Sequence, residues 1–210
     1  GLACDRGPEV VAHDDPAGQI EHTAQGTHHV HREFRGHGIG ECVHQEALLI
    51  NLAPHQPFHD ARDKPVKNPI VWIDCEMTGL DPDVDELVEI AVIITDSDLN
   101  PLAEGIDIVI KPSAASLAQM SPFVTQMHTD SGLINEFDSG VSLKDAEVAV
   151  LEYVSSIISQ PGVAPIAGNS IGQDVRFLRA YMPNLVEYMH YRIIDVSTIK
   201  ELAKRWYPRV

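Results

Sequence analysis

The segment VWIDCEMTGLD, residues 71–81, constrains this chain more than any other. Val71, Trp72 and Ile73 read as a buried β-strand, and the strand carries two carboxylates, Asp74 and Glu76, into its own interior. On a strand, residues two apart point to the same face. Asp74 and Glu76 therefore project side by side, while Ile73 and Cys75 point the other way. Ionised carboxylates are almost never buried without partners, and two like charges so close raise one another's pKa. A divalent cation resolves both problems. Paired carboxylates with no second cysteine nearby suit hard, oxygen-preferring ions, Mg²⁺ or Mn²⁺. The competing reading is a strand end at which both acids reach solvent.

A second acid sits in a comparable place. In AGNSIGQDVRFL, residues 167–178, a short strand ends at Gly168. Asn169, Ser170 and Gly172 make a turn, and Asp174 falls in the first turn of the following helix. An acid there complements the helix dipole, which is the plain explanation. The carboxyl ends of strands are also where α/β sheets place their chemistry.

The remaining pattern supports such a sheet. Strands are expected at 70–75, 87–95, 105–111, 164–168 and 192–195, and helices at 142–159, 172–182 and 196–207. Ser142 is the N-cap candidate of the first helix, and Leu143, Val150, Leu151, Val154, Ile157 and Ile158 form its apolar stripe. Pro183 and Pro208 stop the other two helices. Trp72 and Trp206 are expected in the core. Strands come first as a meander and then alternate with helices, which predicts an α/β fold: a mixed sheet flanked by helices.

Composition narrows the function. The net charge of −16 over 210 residues argues against a broad basic surface for long nucleic acid. It leaves room for a very short nucleic acid gripped at one point through metal ions. No apolar run reaches the ~18 residues of a membrane-spanning helix. Cys4, Cys42 and Cys75 are too scattered for a disulfide framework or a zinc site, so a cytoplasmic location is expected.

Residues 1–68 read differently, with nine of the eleven histidines and no sustained periodicity. Residues 1–65 are expected to be disordered, or upstream sequence added to a domain that begins at Val66. THHVHREFRGHG, residues 27–38, is rich enough in imidazole to bind a metal, but lacks clean ligand spacing.

Taken together, WIDCEMTGLD, MHTDSGL (127–133), GNSIGQD (168–174) and HYRIIDVSTIKELAKRWYP (190–208) resemble the oligoribonucleases. These belong to the DEDDh group of 3′→5′ exonucleases, with a ribonuclease H-like fold. The resemblance implies that Asp74, Glu76 and Asp174 bind two divalent cations and hydrolyse very short RNA to 5′-mononucleotides. It further implies that Leu80 wedges against one base and Phe123 stacks on the other. His128 would contact the substrate near the scissile bond. Ser170, Arg192 and Ser197 would cap the 5′-phosphate, and Tyr191 would reach in from the second subunit of a homodimer. Such a cap favours 5′-phosphorylated dinucleotides, because it blocks the path of a longer chain.

One part of the pattern is not found. The family's general-base histidine belongs to a His-x₄-Asp motif expected ten to twenty residues beyond RWYP, and this sequence ends at Val210. The expectation is that residues 66–210 are an exonuclease domain lacking that motif, with impaired turnover. His190 and Asp195 have the same separation, but on a strand an odd separation sends two side chains to opposite faces. Two other functions compete: another DEDD-type exonuclease, proofreading or transfer-RNA-trimming, and a nucleotide-binding module without catalysis.

Overall fold

The computed structural model describes residues 66–207. The expectations for residues 1–65, including the histidine-rich segment, lie outside the described residues. Five strands form one sheet in the order β3-β2-β1-β4-β5: β1 (Ile70–Met77), β2 (Leu87–Thr95), β3 (Ile106–Val109), β4 (Ile166–Gly168) and β5 (Ile193–Asp195). β1–β2 and β2–β3 are antiparallel, whereas β1–β4 and β4–β5 are parallel. The helices are α1 (Ala114–Gln119), α2 (Pro122–Ser131), α3 (Leu143–Ile157), α4 (Gly172–Tyr181), α5 (Pro183–Tyr188) and α6 (Val196–Trp206). The mixed, helix-flanked sheet is the one the sequence predicts.

Alternation along β1 sets the two faces. Val71, Ile73 and Cys75 are buried with Ile90, Val92 and Ile94 of β2 on the core face. α3 lays Ala146, Val150 and Val154 into that same core, and α4 and α5 add Phe177, Leu178 and Leu185. Ser142 caps α3 as expected, its hydroxyl accepting from Asp145 N–H. Burying a large aliphatic side chain contributes about 1.5–3 kcal/mol, so this layer dominates the stability of the domain.

Local signals account for elements that the periodicity does not reveal. Ser113 and Ser121 cap α1 and α2. α2 ends at Gly132, whose φ of 83° is the left-handed conformation glycine adopts freely. Pro183 both ends α4 and opens α5 at its first turn. Two expectations need correcting. β5 starts at Ile193, so His190 is not on the strand with Asp195. Trp206 is 65 % exposed and is not a core residue in this arrangement. Its helix is short of partners, and α6 buries no side chain. Trp72 is half-buried and donates its indole N–H to Thr95 Oγ1 at 3.0 Å.

β4 ends where β1 continues. Their pairing covers only Val71 and Trp72, so the far half of β1 has an edge free of strand partners on that side. A methyl group on Gly168 would lie 2.7 Å from both Ile73 O and Ile171 Cδ1. Gly168→Ala should therefore cost about 1–3 kcal/mol through overpacking at the carboxyl end of β4, read as a lower denaturant midpoint with an unchanged slope. An unchanged midpoint would show that this approach is not close in solution.

Candidate active site

The open edge of β1 is filled by a side chain. Cys75 N–H, which has no strand to pair with, donates to Asp174 Oδ1 at 3.0 Å. Asp174 is only 7 % exposed and lies in the first turn of α4, with Asp74 and Glu76 projecting from the neighbouring strand face. Burial, then the charge of Asp74, pushes the Asp174 carboxyl up to about 7. Burial, then Asp74 and Asp174, pushes Glu76 to about 7. Burial and the carboxylate of Asp107 raise Asp74 to about 6. The structure thus brings the three predicted acids into one electrostatically coupled cluster.

The cluster is not a closed cage. As placed, no three Asp, Glu, His or Cys side chains among the described residues converge tightly enough to hold a metal between them. The donor chemistry nonetheless fits a hard divalent cation. All three are carboxylates, they are withdrawn from water, and among the described residues no cationic side chain contributes to their pKa values. Among the described residues, none supplies a positive charge to the cluster.

The sheet register adds acids that the motif does not disclose. Asp74 lies opposite Ala91, which lies opposite Asp107, so Asp74 and Asp107 share a row and a face. Glu76 lies directly opposite Glu89. The spacing of β3 from the motif gave no signal for Asp107; only strand pairing places it there.

Leu80 and Phe123 are 68 % and 78 % exposed, so neither is a core residue. Leu80 is held on a tightly built loop. Asp85 accepts from Asp81 N–H, Tyr181 donates to Asp85 O at 2.7 Å, and Gln173 Nε2 donates to Leu80 O at 2.7 Å. Gln173 directly precedes Asp174, so the exposed leucine and the buried acid are carried by one turn of α4.

His128 lies beneath the end of β1. It is 1 % exposed, with Nε2 2.9 Å from Met77 O and its ring edge-on to Phe137. Burial lowers its pKa. It pins the residue after Glu76 and does not open onto the surface.

Ser170 and Ser197 are brought together by Asp195, whose sequence position signals only its separation from His190. Asp195 Oδ1 accepts from Ser170 N–H, Ser197 N–H and Ser197 Oγ. Tyr191 is exposed. It stacks on His190 with ring centroids 4.5 Å apart, and the Arg192 guanidinium carbon lies 5.3 Å from its ring centroid. His190 Nδ1 accepts from Arg192 N–H, so His190 and Asp195 make separate attachments.

An exonuclease family model (RNase T) matches residues 71–210. An oligoribonuclease of Leifsonia xyli is 61 % identical over 141 residues, 67 % of this chain and 68 % of that protein. An oligoribonuclease of Streptomyces coelicolor is 56 % identical over 140 residues, covering 67 % and 70 %. Among solved structures, E. coli exonuclease I in complex with a dA16 oligonucleotide is similar with a TM-score of 0.51 at 16 % identity, over 68 % of this chain and 31 % of that one. Its metal-free complex with single-stranded DNA gives the same TM-score, 0.51. At that identity these structures bear on the fold alone, and they agree with a ribonuclease H-like sheet. Carboxylates raised on the central strand, a third on the helix after β4, and more than half-identity to named relatives lead to one conclusion: the chain belongs to the oligoribonuclease family of exonucleases.

Proposed function

We propose that this protein removes 5′-mononucleotides from the 3′ end of very short RNA, 5′-phosphorylated dinucleotides in particular. The observation that carries the reading is the placement of Asp74 and Glu76 on one face of β1 with Asp174 tied to the Cys75 N–H between them, three carboxylates whose pKa values are raised by burial and neighbouring acids. These residues would hold two divalent cations, Mg²⁺ or Mn²⁺. Bound there, such ions activate water and offset the charge that develops on the leaving 3′-oxygen.

The chain's own residues would do the rest. Cys75 N–H orients the Asp174 carboxylate from below. Leu80 and Phe123 offer exposed apolar surface on which two bases can rest, a contact worth about 1–3 kcal/mol per stacked base for an aromatic. Arg192, Ser170 and Ser197 supply donors for a terminal phosphate. A grip this local needs no basic surface, which fits the net charge of −16. His128 acts through Met77, by fixing the end of the strand that bears Glu76. A cytoplasmic homodimer, with Tyr191 contributed across the interface, completes the reading; light scattering on the purified chain tests the dimer.

The central test is calorimetric titration of the chain with pGpG in the presence and absence of Mn²⁺. Binding that requires Mn²⁺ supports the reading, and equal affinity with and without it would sink the metal-centred grip. A second expectation concerns Arg192. Its planar donors match phosphate in a way lysine's do not. Arg192→Ala should weaken pGpG about tenfold or more, while GpG, which lacks the phosphate, changes little. Equal losses for both would remove Arg192 from the cap.

A further inference from the structure

We infer that Asp195 is a positioning residue whose single carboxylate gathers two separate segments, the β4–α4 turn and the first turn of α6, into one phosphate cap. The inference rests on the reading above that Ser170, Arg192 and Ser197 receive a 5′-phosphate. Four donors meet this carboxylate. Ser170 N–H and Ser197 N–H reach Oδ1 at 3.0 Å each, Ser197 Oγ reaches Oδ1 at 2.7 Å, and Thr198 Oγ1 reaches Oδ2 at 3.1 Å. Burial raises the carboxyl's pKa, and the hydrogen bonds from Ser197, Thr198 and Ser170 outweigh it, leaving the group below its ordinary value. It stays an acceptor throughout the neutral range.

Helix capping explains only part of this arrangement. Asp195 is the N-cap of α6, and its bond to Ser197 N–H is the one a cap makes. The bond to Ser170 is not. That amide lies 25 residues earlier, on another element. Ser170 has φ of 55°, a left-handed conformation that costs a serine roughly 1 kcal/mol or more. The carboxylate offsets that strain from outside the turn. Ser170 is itself exposed, and Asp174 follows four residues later on the adjoining helix. Removing the tie would leave the two serines on segments free to drift apart, with the turn that leads into the metal-binding helix relaxed.

Ser197 gives the arrangement a further consequence. Its hydroxyl proton points inward to Asp195. A serine hydroxyl has one proton, so an incoming phosphate must draw it outward. The carboxylate then keeps both N–H bonds, and the scaffold persists while the donor turns.

Substitution at this position separates the two roles. Serine is a good N-cap, yet its short hydroxyl cannot serve Ser170 as well. Asparagine keeps an acceptor at Oδ1 for both segments. Calorimetry with pGpG and GpG in Mn²⁺ measures the preference for the phosphorylated ligand. Asp195→Ser is expected to reduce that preference about tenfold with helix content unchanged, and Asp195→Asn to retain it. Retention of the full preference by Asp195→Ser would reduce Asp195 to an ordinary cap and overturn the inference. So would an equal loss in Asp195→Asn, since charge and not geometry would then be responsible. A wild-type chain without any preference would instead defeat the phosphate-cap reading, and this inference with it. An independent measurement needs no variant: the Ser170 amide should exchange slowly although the residue is exposed. Exchange at the rate of a free amide would overturn the tie even if Asp195→Ser failed to fold.

Discussion

Asp174→Asn is expected to stabilise the metal-free fold and to abolish its response to divalent cations. The two effects have one cause. Asp174 is buried, and its pKa is raised to about 7 by burial and by Asp74. Ionised at pH 8, it destabilises the folded chain. Asparagine removes the charge and preserves the acceptor that Cys75 N–H requires. The expected gain is about 1–3 kcal/mol in chelator, since each pKa unit of displacement corresponds to about 1.4 kcal/mol. Function moves the other way. An amide oxygen is a weaker ligand for a hard cation, and losing several kcal/mol of charge stabilisation lowers turnover about 10³-fold or more. Thermal unfolding with EDTA and with Mn²⁺ reads both effects. A rise in midpoint with Mn²⁺ equal to that of wild type would remove Asp174 from the metal site. Leu80→Ala shortens an exposed apolar side chain and keeps the Leu80 carbonyl that accepts from Gln173, so it should leave the Mn²⁺ response intact and serves as the control.

Much of this arrangement was legible because strand alternation is a strong constraint. One face of β1 had to be Val71, Ile73 and Cys75, and that left Asp74 and Glu76 on the other. Asp174 was legible because a strand, a glycine turn and a helix start stand in immediate succession. Long-range placement was not legible. Asp107 joins Asp74 through the register of β2 between them, and no local pattern encodes which residue of β3 pairs with Ala91. α1 and α2 are short and weakly periodic, so their signals are capping serines and not an apolar stripe. His128 shows the opposite limitation. A motif identifies the residue but not which groups its ring meets in the fold, here the carbonyl of Met77. Asp195 stands out in the sequence only by its separation from His190, and nothing there signals its bond to Ser170, 25 residues earlier.

The same cluster fixes how divalent cations and pH should act together. In the unfolded chain the acids have pKa values near 3.8 and 4.5, while in the fold they lie at about 6 for Asp74 and about 7 for Glu76 and Asp174. Between these limits the folded state binds more protons, so the cluster's contribution to stability falls as pH rises from about 4 through 7. His128 acts with the opposite sign. Its pKa is lowered by burial, so its contribution is lost as pH falls below 6.5. The two oppose each other in a simple pH–stability curve. Metal titration separates them, because His128 does not belong to the carboxylate cluster. At pH 8 the three acids are ionised and a cation meets three ready ligands. At pH 5.5 it must first displace their protons, and apparent affinity should fall about tenfold per pH unit for each proton displaced. The Mg²⁺-induced rise in unfolding midpoint should therefore be large at pH 8, small at pH 5.5, and absent at both in Asp174→Asn. An Mg²⁺ effect of equal size at both pH values would mean that the ion binds acids of ordinary pKa elsewhere on the surface, and would detach the cation from Asp74, Glu76 and Asp174.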